Sequence, residues 1–376
     1  MQYDPPLPGF ALAKIQPPRP RAALVARAGL ESALGEALLH QRLTLLVAPA
    51  GYGKTAALTR QIGRLPPGCA LAWLSADEDD QLQRFLACLT TALEPHDLPW
   101  RVAPEALATL ALAERGLRDV AGELVNALAA SEVERGLIVI DDAHRIGDPR
   151  VFELLQRMLD RWPGHWALAM AGRVEPPLAL ARLRAAGELA EFRQQALRFS
   201  EAEVAALVDA CGTEGAGPRP DAHELMQRTQ GWAAGLRLSL TARAGGAARR
   251  HGDSTQRHVF DYLAAEVLDE MPAPLRDFLL HCAMLPELSA ARCAEVSGLG
   301  LGAAQALLEE IEARGLFVSV LEAQVLTLRL HDLFRAFLED RLRRERGEGL
   351  PELLRRAAAS EPDLARAVGY LARAGA

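Results

Sequence analysis

The residues best suited to chemistry lie in a short glycine-rich stretch that contains Gly51, Gly53, Lys54 and Thr55. An apolar run, Leu43–Val47, precedes it and has the length and character of a buried parallel strand. A strand, a glycine-rich loop and a helix beginning with Lys-Thr form a phosphate cradle, because loop N–H groups and the helix N-terminus face the anion. In such a cradle Lys54 reaches the β- and γ-phosphates and the Thr55 hydroxyl binds Mg²⁺. The predicted nucleotide-binding residues of the loop are Ala50, Gly51, Tyr52, Gly53, Lys54, Thr55 and Ala56.

The loop departs from the usual G-x-x-x-x-G-K-[ST] pattern at its first position, where Ala48 replaces glycine. The alternative interpretation is a glycine-rich loop that caps a core strand and leaves Lys54 solvated. Lysine usage argues against this alternative, since the chain has 42 Lys plus Arg but its only lysines are Lys14 and Lys54. A compact ammonium on a flexible stem suits a β/γ-phosphate, which favours the binding role for Lys54.

Two carboxylates end another apolar run, Gly136–Asp142. A buried strand here brings Asp141 to the carboxyl edge of the sheet, where it can hold Mg²⁺, and Asp142 can orient or deprotonate the attacking water. Taken alone, the pattern is also typical of a strand that ends in a polar turn. The strand and helices between Lys54 and Asp141 favour the nucleotide interpretation. It assigns Asp141 and Thr55 to the metal, and Asp142 and Lys54 to catalysis.

Arg173 follows a further apolar run, Trp166–Ala171. As a candidate catalytic residue it would sense the γ-phosphate, although an ordinary surface arginine explains it almost as well. With the runs at Ala70–Ser75 and near 190–199, the pattern predicts five strands that alternate with helices. This order is typical of an α/β fold with a parallel sheet covered on both faces. We expect the ligand at the carboxyl ends of the strands.

Composition excludes several classes of protein. The chain has 376 residues, half of them apolar, and no apolar stretch approaches the roughly 20 residues of a membrane span. The first residues lack the basic start and apolar core of a signal peptide. Five scattered cysteines form no metal-binding spacing, and the net charge of −7 gives no overall basic field for nucleic acid. We therefore expect a cytoplasmic protein without a membrane partner.

The regions outside this α/β pattern have weaker signals. Residues 1–20 are rich in proline and are expected to be extended. Ser200, with Glu203 three positions on, predicts a capping box at the start of a helix, and 245–254 predicts a hinge.

Helices and a possible hairpin, Leu316–Val320 with Val325–Arg329, form the pattern of a winged helix. Residues 347–376 are typical of a helix pair that begins a superhelical repeat array.

These blocks together resemble the N-terminal module of MalT-like transcription activators, the large ATP-binding LuxR-type regulators of the STAND class of P-loop ATPases. The resemblance covers nearly the whole chain, and an alanine or serine commonly opens the loop in this family, so Ala48 fits. It implies a five-stranded P-loop ATPase core followed by a helical lid and a winged helix. The blocks that carry it are PPRPRAALVARAGL, APAGYGKT, AWLSADEDDQLQRFLACLTTAL, LIVIDDAH, AGR, QGWAAGLRL, FDYLAAEVLDEMP, IEARGLF and LRLHDLFRAFL.

The resemblance implies a switch that rests with bound ADP, self-associates with ATP and an inducer, and is reset by slow ATP hydrolysis. Arg27 matches a position near the adenine. His331 matches the winged-helix histidine that touches the ADP β-phosphate, unless it is a core or helix-capping histidine. Trp232 matches the lid helix over the nucleotide, unless it is simple core. Ala233 stands where related ATPases have a lid proline, which puts a direct base contact in doubt.

Inducer and DNA contacts are expected only through C-terminal repeats and a helix-turn-helix that this sequence lacks. The run Arg341, Arg343, Arg344 and Arg346 is interleaved with Glu345, and so favours a solvated helix end over a DNA contact. The alternative function is a rapidly turning-over ATP-dependent machine or phosphotransferase, but no substrate motif or arginine finger supports it. The expected domains are 1–20 (extended segment), 21–198 (ATPase), 199–250 (lid), 251–346 (winged helix) and 347–376 (start of a helical arm).

Overall fold

The structure is a computed structural model that divides into two compact units. The first comprises Met1–Ala48 and Tyr52–Leu197, and the second comprises Pro49–Gly51 and Arg198–Ala376. Three residues of the glycine-rich loop therefore belong to the second unit by their contacts. The predicted hinge at 245–254 lies outside the described residues. These are 9–19, 25–113, 116–211, 221–244, 259–269, 271–322 and 325–375.

A five-stranded sheet forms the centre of the first unit. Its strands are β1 (Leu43–Val47), β2 (Ala70–Ser75), β3 (Gly136–Asp141), β4 (Trp166–Gly172) and β5 (Leu189–Arg193). All neighbours are parallel, in the order β2-β3-β4-β1-β5. Strands β3 and β4 are buried at every position, which explains why they read as continuous apolar runs. The predicted sheet is confirmed, although β5 ends six residues before the expected 199.

Helices connect these strands and supply the rest of the first core. They are α1 (Ala28–His40), α2 (Lys54–Ile62), α3 (Leu82–Leu93), α4 (Pro104–Leu110), α5 (Gly116–Ala129), α6 (Pro149–Leu159), α7 (Leu180–Ala186) and α8 (Gln194–Leu197). Helices α3, α5 and α6 bury their apolar faces together with β2 and β3 in one cluster. Asp148 fixes two of these helices, since its carboxylate accepts from Arg150 N–H at the start of α6 and from Leu82 N–H at the start of α3.

A buried ion pair holds the N-terminal segment to the first unit. Leu12–Ile15 forms a 3₁₀ turn, so the expectation of an extended 1–20 is wrong for these residues. The ammonium of Lys14 lies 2.7 Å from a carboxylate oxygen of Asp77 and 2.7 Å from one of Asp80. Both aspartates belong to the turn after β2. The apolar side of the turn packs on the sheet while its lysine is neutralised, and this favours the compact turn over an extended strand.

The second unit is mainly helical. Its elements are α9 (Glu201–Cys211), α10 (Ala222–Thr229), α11 (Ala233–Ala244), a π-helical segment (Ala264–Leu268), α12 (Ala273–Cys282), β6 (Leu288–Ser289), α13 (Ala290–Ser297), α14 (Leu301–Ala313), β7 (Val318–Glu322), β8 (Thr327–Leu330), α15 (Asp332–Arg346), α16 (Leu350–Ala359) and α17 (Leu364–Arg373). The strands form a small antiparallel sheet in the order β6-β8-β7. A sheet that follows helices in this way is the arrangement expected of a winged helix.

Two local expectations for the second unit can be compared with the structure. Ser200 and Glu203 form the predicted capping box, because Ser200 N–H donates to the Glu203 carboxylate and Glu203 N–H donates to the Ser200 hydroxyl. The hairpin is present but begins later than expected, since Phe317 has a positive φ of 41° and cannot continue a strand.

The arginine run near the end of α15 is held by carboxylates. Arg341 pairs with Glu345, Arg343 with Glu339, Arg344 with Asp340, and Arg346 with Asp277. This is the pattern of a solvated helix face. Among the described residues, no helix is long and apolar enough to cross a membrane.

Candidate nucleotide-binding site

The glycine-rich loop begins where β1 ends and runs into α2. Ala48 N–H donates to the Gly172 carbonyl at the end of β4, at 3.2 Å, which fixes the start of the loop at the carboxyl edge of the sheet. Gly51 and Gly53 have φ angles of 74° and 81°, in the left-handed region that favours glycine. Gly53 is the N-cap of α2, and no side chain caps its first N–H groups. The start of α2 is therefore a helix N-terminus with the donors that an anion needs.

Lys54 is buried at the start of α2. Its ammonium donates to the Ala48 carbonyl at 2.7 Å. The pKa of Lys54 is lowered to about 8, chiefly by burial and also by the Arg173 charge, although the charges of Asp142 and Asp141 act in the opposite direction. An anion that binds nearby would strongly favour the charged form of this buried side chain. Ala48 takes part through its backbone carbonyl, so the methyl group that breaks the usual pattern leaves this contact intact.

Thr55 and Asp141 bring the two sequence motifs together. The Thr55 side chain hydrogen-bonds the Asp141 carboxylate, which also accepts from Asp142 N–H at 3.0 Å. Burial raises the pKa of Asp141 to about 6, with the neighbouring Asp142 charge acting in the same direction. A buried carboxylate beside a hydroxyl is a hard oxygen pair of the type that Mg²⁺ takes, with phosphate oxygens and water completing the shell. The residues present therefore fit a magnesium ion bound together with a nucleotide.

Asp142 differs from Asp141 in its exposure. Its side chain is 44% exposed, and its φ of 53° turns the chain out of β3 immediately after Asp141. A left-handed residue at this position ends the strand and presents the carboxylate beyond the sheet edge. Asp142 is thus accessible to water, while Asp141 lies beside Thr55.

Arg173 directly follows β4, and its charge acts on Lys54 and on His144. These three basic groups, Lys54, Arg173 and Arg145, lower the pKa of His144, although burial is the main cause and brings it to about 3. His144 is therefore neutral. Among the residues that the structure describes, its buried Nδ1 atom has no hydrogen-bond partner, and it lies 3.9 Å from an Asp142 oxygen.

The sequence interpretation assigned His144 no role. His144 also lines a cavity of about 170 Å³ with Gly172, Phe152 and Met170 at the same sheet edge. Its place in the run Asp141-Asp142-Ala143-His144, two residues after the exposed carboxylate, was the available signal.

Two other predicted residues have structural contacts in the first unit. Tyr52 is fully buried, and Gln194 Nε2–H donates to its hydroxyl at 2.7 Å. Arg27 precedes α1, and its guanidinium donates to the Leu197 carbonyl at 3.0 Å. Ala56 lies in the first turn of α2. In the described part of the chain, no group of three or more His, Cys, Asp or Glu side chains is arranged to hold a metal ion by itself.

Two family descriptions match separate parts of the chain. An AAA domain matches residues 38–178, and a MalT winged helix domain matches residues 264–350. The regulator MalT of Klebsiella pneumoniae is 34% identical over 329 residues, which cover 85% of this chain and 36% of that protein. The chain resembles the nucleotide-binding module of MalT-like regulators.

A second relative of the chain is named as a kinase. The serine/threonine-protein kinase PknK of Mycobacterium tuberculosis is 34% identical over 371 residues, or 94% of this chain and 32% of the kinase. The chain thus spans about a third of the length of these curated relatives. The Walker-type ATPase paby2304 of Pyrococcus abyssi matches 87% of this chain and 99% of its own with a TM-score of 0.57, and at 14% identity this likeness supports the fold alone.

In the second unit, Trp232 is fully buried just before α11. Its ring contacts those of Tyr262, Phe317 and His331, with centroid separations of 5.9, 5.3 and 6.2 Å. Its indole N–H donates to the Ala50 carbonyl at 3.0 Å. Trp232 is therefore both a core residue and a contact of loop residues Ala50 and Gly51.

His331 is the N-cap of α15. Its Nδ1 accepts from Leu333 N–H, and its Nε2 lies 3.1 Å from the Thr229 carbonyl, so the Nε2 atom carries the proton. Burial lowers the pKa of His331 to about 4, which keeps the ring neutral. Next to it, Gln230 donates to the Asp332 carboxylate at 2.6 Å. Both ring nitrogens thus have backbone partners, as in the helix-capping interpretation, and the phosphate role stays a prediction.

Proposed function

We propose that the chain is an ATP- and ADP-binding switch module of a LuxR/MalT-type regulator. The observation that carries this proposal is the hydrogen bond between Thr55 and Asp141, which unites the glycine-rich loop with the end of β3. A loop that only capped the core would have no need of a buried carboxylate at this position. With Lys54 beside the loop, the arrangement has the three parts required for a magnesium nucleotide.

Each residue then has a defined task. Lys54 neutralises the β- and γ-phosphates, and the amide groups at the start of α2 donate to phosphate oxygens. Thr55 and Asp141 hold Mg²⁺, which neutralises charge on the phosphates. Asp142, being exposed to water, orients or deprotonates the attacking water molecule, and Arg173 senses the γ-phosphate. We expect turnover well below the roughly 10 s⁻¹ of a median enzyme, since a switch must remain in each state.

The regulatory part of the proposal concerns ADP at rest and self-association with ATP. A nucleotide can bias two states only through contacts that differ between them. His331 is the proposed contact to the ADP β-phosphate. Because its Nε2–H is donated to Thr229 in this structure, the phosphate contact requires that this bond be exchanged. The ADP state therefore includes a shift of the ring away from the end of α10.

The output of the switch lies with other parts of the full-length proteins. Relatives named as a kinase and as a transcriptional regulator match this chain at the same 34% identity, although the chain spans only about a third of each. We infer that the matched module supplies nucleotide gating. Inducer and DNA contacts are proposed to belong to further C-terminal regions.

Two measurements test the proposal. Protein purified without added nucleotide is denatured, and the released nucleotide is identified by chromatography; we expect ADP. Size-exclusion chromatography with light scattering then compares Mg²⁺·ADP with a non-hydrolysable ATP analogue, and we expect a larger species only with the analogue. No nucleotide binding in calorimetry would refute the site, whereas binding with an unchanged mass would refute only the self-association.

A turnover assay separates this switch from a rapidly cycling ATP-dependent machine or phosphotransferase. We expect slow release of phosphate, at less than one turnover per second. Rapid turnover that persists without any inducer would favour the machine.

The proposed contact between His331 and ADP is tested by the ADP dissociation rate. His331→Ala is expected to release ADP at least about tenfold faster, the effect of losing one charged hydrogen bond. Asp363→Ala, which removes the N-cap of α17, is the matched control.

A further inference from the structure

Two backbone carbonyls of the glycine-rich loop are held by the start of α11. The indole N–H of Trp232 donates to the Ala50 carbonyl at 3.0 Å. The amide N–H of Ala234 donates to the Gly51 carbonyl at 2.9 Å. All of these residues belong to the second unit, and Trp232 has no exposed surface. Two consecutive loop peptides are thus fixed by one short segment.

Fixing a carbonyl also fixes the amide that follows it. In a trans peptide the C=O of one residue and the N–H of the next point in opposite directions. The bond to the Ala50 carbonyl therefore sets the direction of Gly51 N–H, and the bond to the Gly51 carbonyl sets that of Tyr52 N–H. These two amides are among the loop donors assigned to phosphate. Each is turned to the side opposite α11.

Gly51 permits this close approach. A Cβ at Gly51 would lie 2.6 Å from the Ala234 Cβ and 2.8 Å from the Trp232 Nε1 atom, both too short for a side chain. The positive φ of Gly51, 74°, disfavours a larger residue independently. The glycine is thus needed for contact with α11 as well as for loop flexibility.

Trp232 itself is held by rings from other elements of the second unit. Phe317 and His331 meet it edge-on, at the start of β7 and at the start of α15, and Tyr262 meets it at a tilt. Phe317 and His331 are also joined, since His331 N–H donates to the Phe317 carbonyl at 2.8 Å. A ring enclosed in this way has one rotamer, so its N–H donor has one position.

We propose that Trp232 is a positioning residue for the phosphate-binding loop: its indole N–H, with Ala234 N–H, holds the Ala50 and Gly51 carbonyls so that the following amides are directed to phosphate before the nucleotide binds. This inference rests on the proposed nucleotide-binding function. It assigns to Trp232 a role that neither a base contact nor simple core packing includes. It also means that loss of the indole N–H weakens nucleotide binding although the residue donates nothing to the nucleotide.

The test removes the indole hydrogen-bond donor from each of two tryptophans, in separate variants. Trp232→Phe keeps an aromatic ring and removes the N–H. Trp162→Phe is the control, because Trp162 is also buried and its indole also donates to a backbone carbonyl, that of Trp166, at 2.7 Å. After any bound nucleotide has been removed, isothermal titration with Mg²⁺·ADP gives the dissociation constant of each variant, and thermal unfolding without nucleotide gives its stability.

We expect both variants to lose similar thermal stability, but only Trp232→Phe to bind ADP more weakly, by roughly three- to tenfold, the effect of one hydrogen bond. Replacing Trp232 with benzothienylalanine, which keeps the ring shape and lacks the N–H, should reproduce the weaker binding even if Trp232→Phe does not fold. Equal ADP affinities of the benzothienyl protein and the wild type would overturn the proposal while leaving the nucleotide site in place. Absence of binding by the wild type would overturn both.

Discussion

The two lysines of this chain occupy two buried sites that are built differently. Lys14 is enclosed by the turn after β2, where Asp77 and Asp80 approach its ammonium to 2.7 Å. Lys54 lies at the start of α2, where its ammonium reaches the carbonyl of Ala48 and burial lowers its pKa to about 8. Both side chains are less than a tenth exposed. The Lys14 ammonium lies within 2.7 Å of two carboxylates. The Lys54 ammonium donates to a backbone carbonyl, and the charges of Asp142 and Asp141 offset its burial only in part.

This difference separates a group that stabilises the fold from one that we propose binds a ligand. Although burial acts to raise the pKa of Asp77, the hydrogen bond and charge of Lys14 hold it below its ordinary value. The Lys14 site thus favours the charged form of Asp77. In the Lys54 site the folded protein instead lowers the pKa of the ammonium, and a bound phosphate would favour its charged form. The comparison predicts which substitutions will affect stability and which will affect binding.

The largest effect is expected for Lys54→Met. The variant keeps the length of the side chain and removes the charge, so we expect Mg²⁺·ADP affinity to fall by roughly a thousandfold, as two charge-assisted hydrogen bonds are lost. Stability without nucleotide should be unchanged or higher, because a buried charge is replaced by an apolar group. Calorimetry and urea unfolding on the same preparations measure both. Retained micromolar affinity would contradict the loop assignment.

Lys14→Met should give the reverse result. The carboxylate of Asp80 is fully buried, and without Lys14 it keeps, among the described residues, only the longer ion pair with Arg84 at 3.9 Å, so we expect a loss of about 3 kcal/mol of stability. ADP affinity of the folded protein should match the wild type. The double variant Lys14→Met with Asp80→Asn is the control, since it removes both charges and should recover part of the loss. Weaker ADP binding by folded Lys14→Met would break the comparison.

Asp142→Asn tests the acidic side of the Lys54 site. Asparagine also accepts a positive φ, so the turn after β3 should be retained. We expect ADP binding and thermal stability to stay close to those of the wild type, while ATP hydrolysis slows by roughly a hundredfold, the lower range for loss of a general base. Single-turnover phosphate release measures the rate. An unchanged rate would show that Asp142 is not the base.

The last prediction concerns His331. In this structure its ring, like the Lys14 side chain, makes contacts within the protein that contribute to stability. Its folded pKa of about 4 lies below the ordinary value of 6.5, so the unfolded chain takes up a proton first as the pH falls. Stability from this group is therefore complete above about pH 6.5 and is lost as the pH falls to about 4 and below, by about 3 kcal/mol in all. His331→Asn retains a capping side chain and should lose less stability between about pH 7 and about pH 4.5. Parallel pH profiles of the two proteins would contradict this assignment.

The sequence predicted what depends on short-range pattern. The runs that became β1 to β4 were located within one residue, because strands buried on both faces are apolar throughout. The capping box at Ser200 was equally local. The glycine-rich loop was found for the same reason, since its chemistry is written in consecutive residues.

Contacts between residues that are far apart in the chain could not be predicted from such patterns. Lys14 and Asp80 are 66 positions apart, and Trp232 and Ala50 are 182 apart. Neither partner has a local feature that identifies the other. The proline-rich composition around Lys14 favoured extended chain, whereas tertiary contacts made a 3₁₀ turn. Likewise, the two-residue strand β6 is too short to have a period, and exists through its pairing with β8.

Burial of both lysines also determines how this protein meets reagents that modify amines. Apart from Lys14, Lys54 and the nine histidines, the basic side chains are arginines, whose guanidinium groups do not react with acylating or alkylating agents at neutral pH. Lys14 is held between two carboxylates. Lys54, with a pKa of about 8, has a substantial fraction of neutral, nucleophilic amine near pH 7.5. We therefore expect Lys54 to be the preferred lysine target of a small acylating probe, and we expect bound nucleotide to protect it.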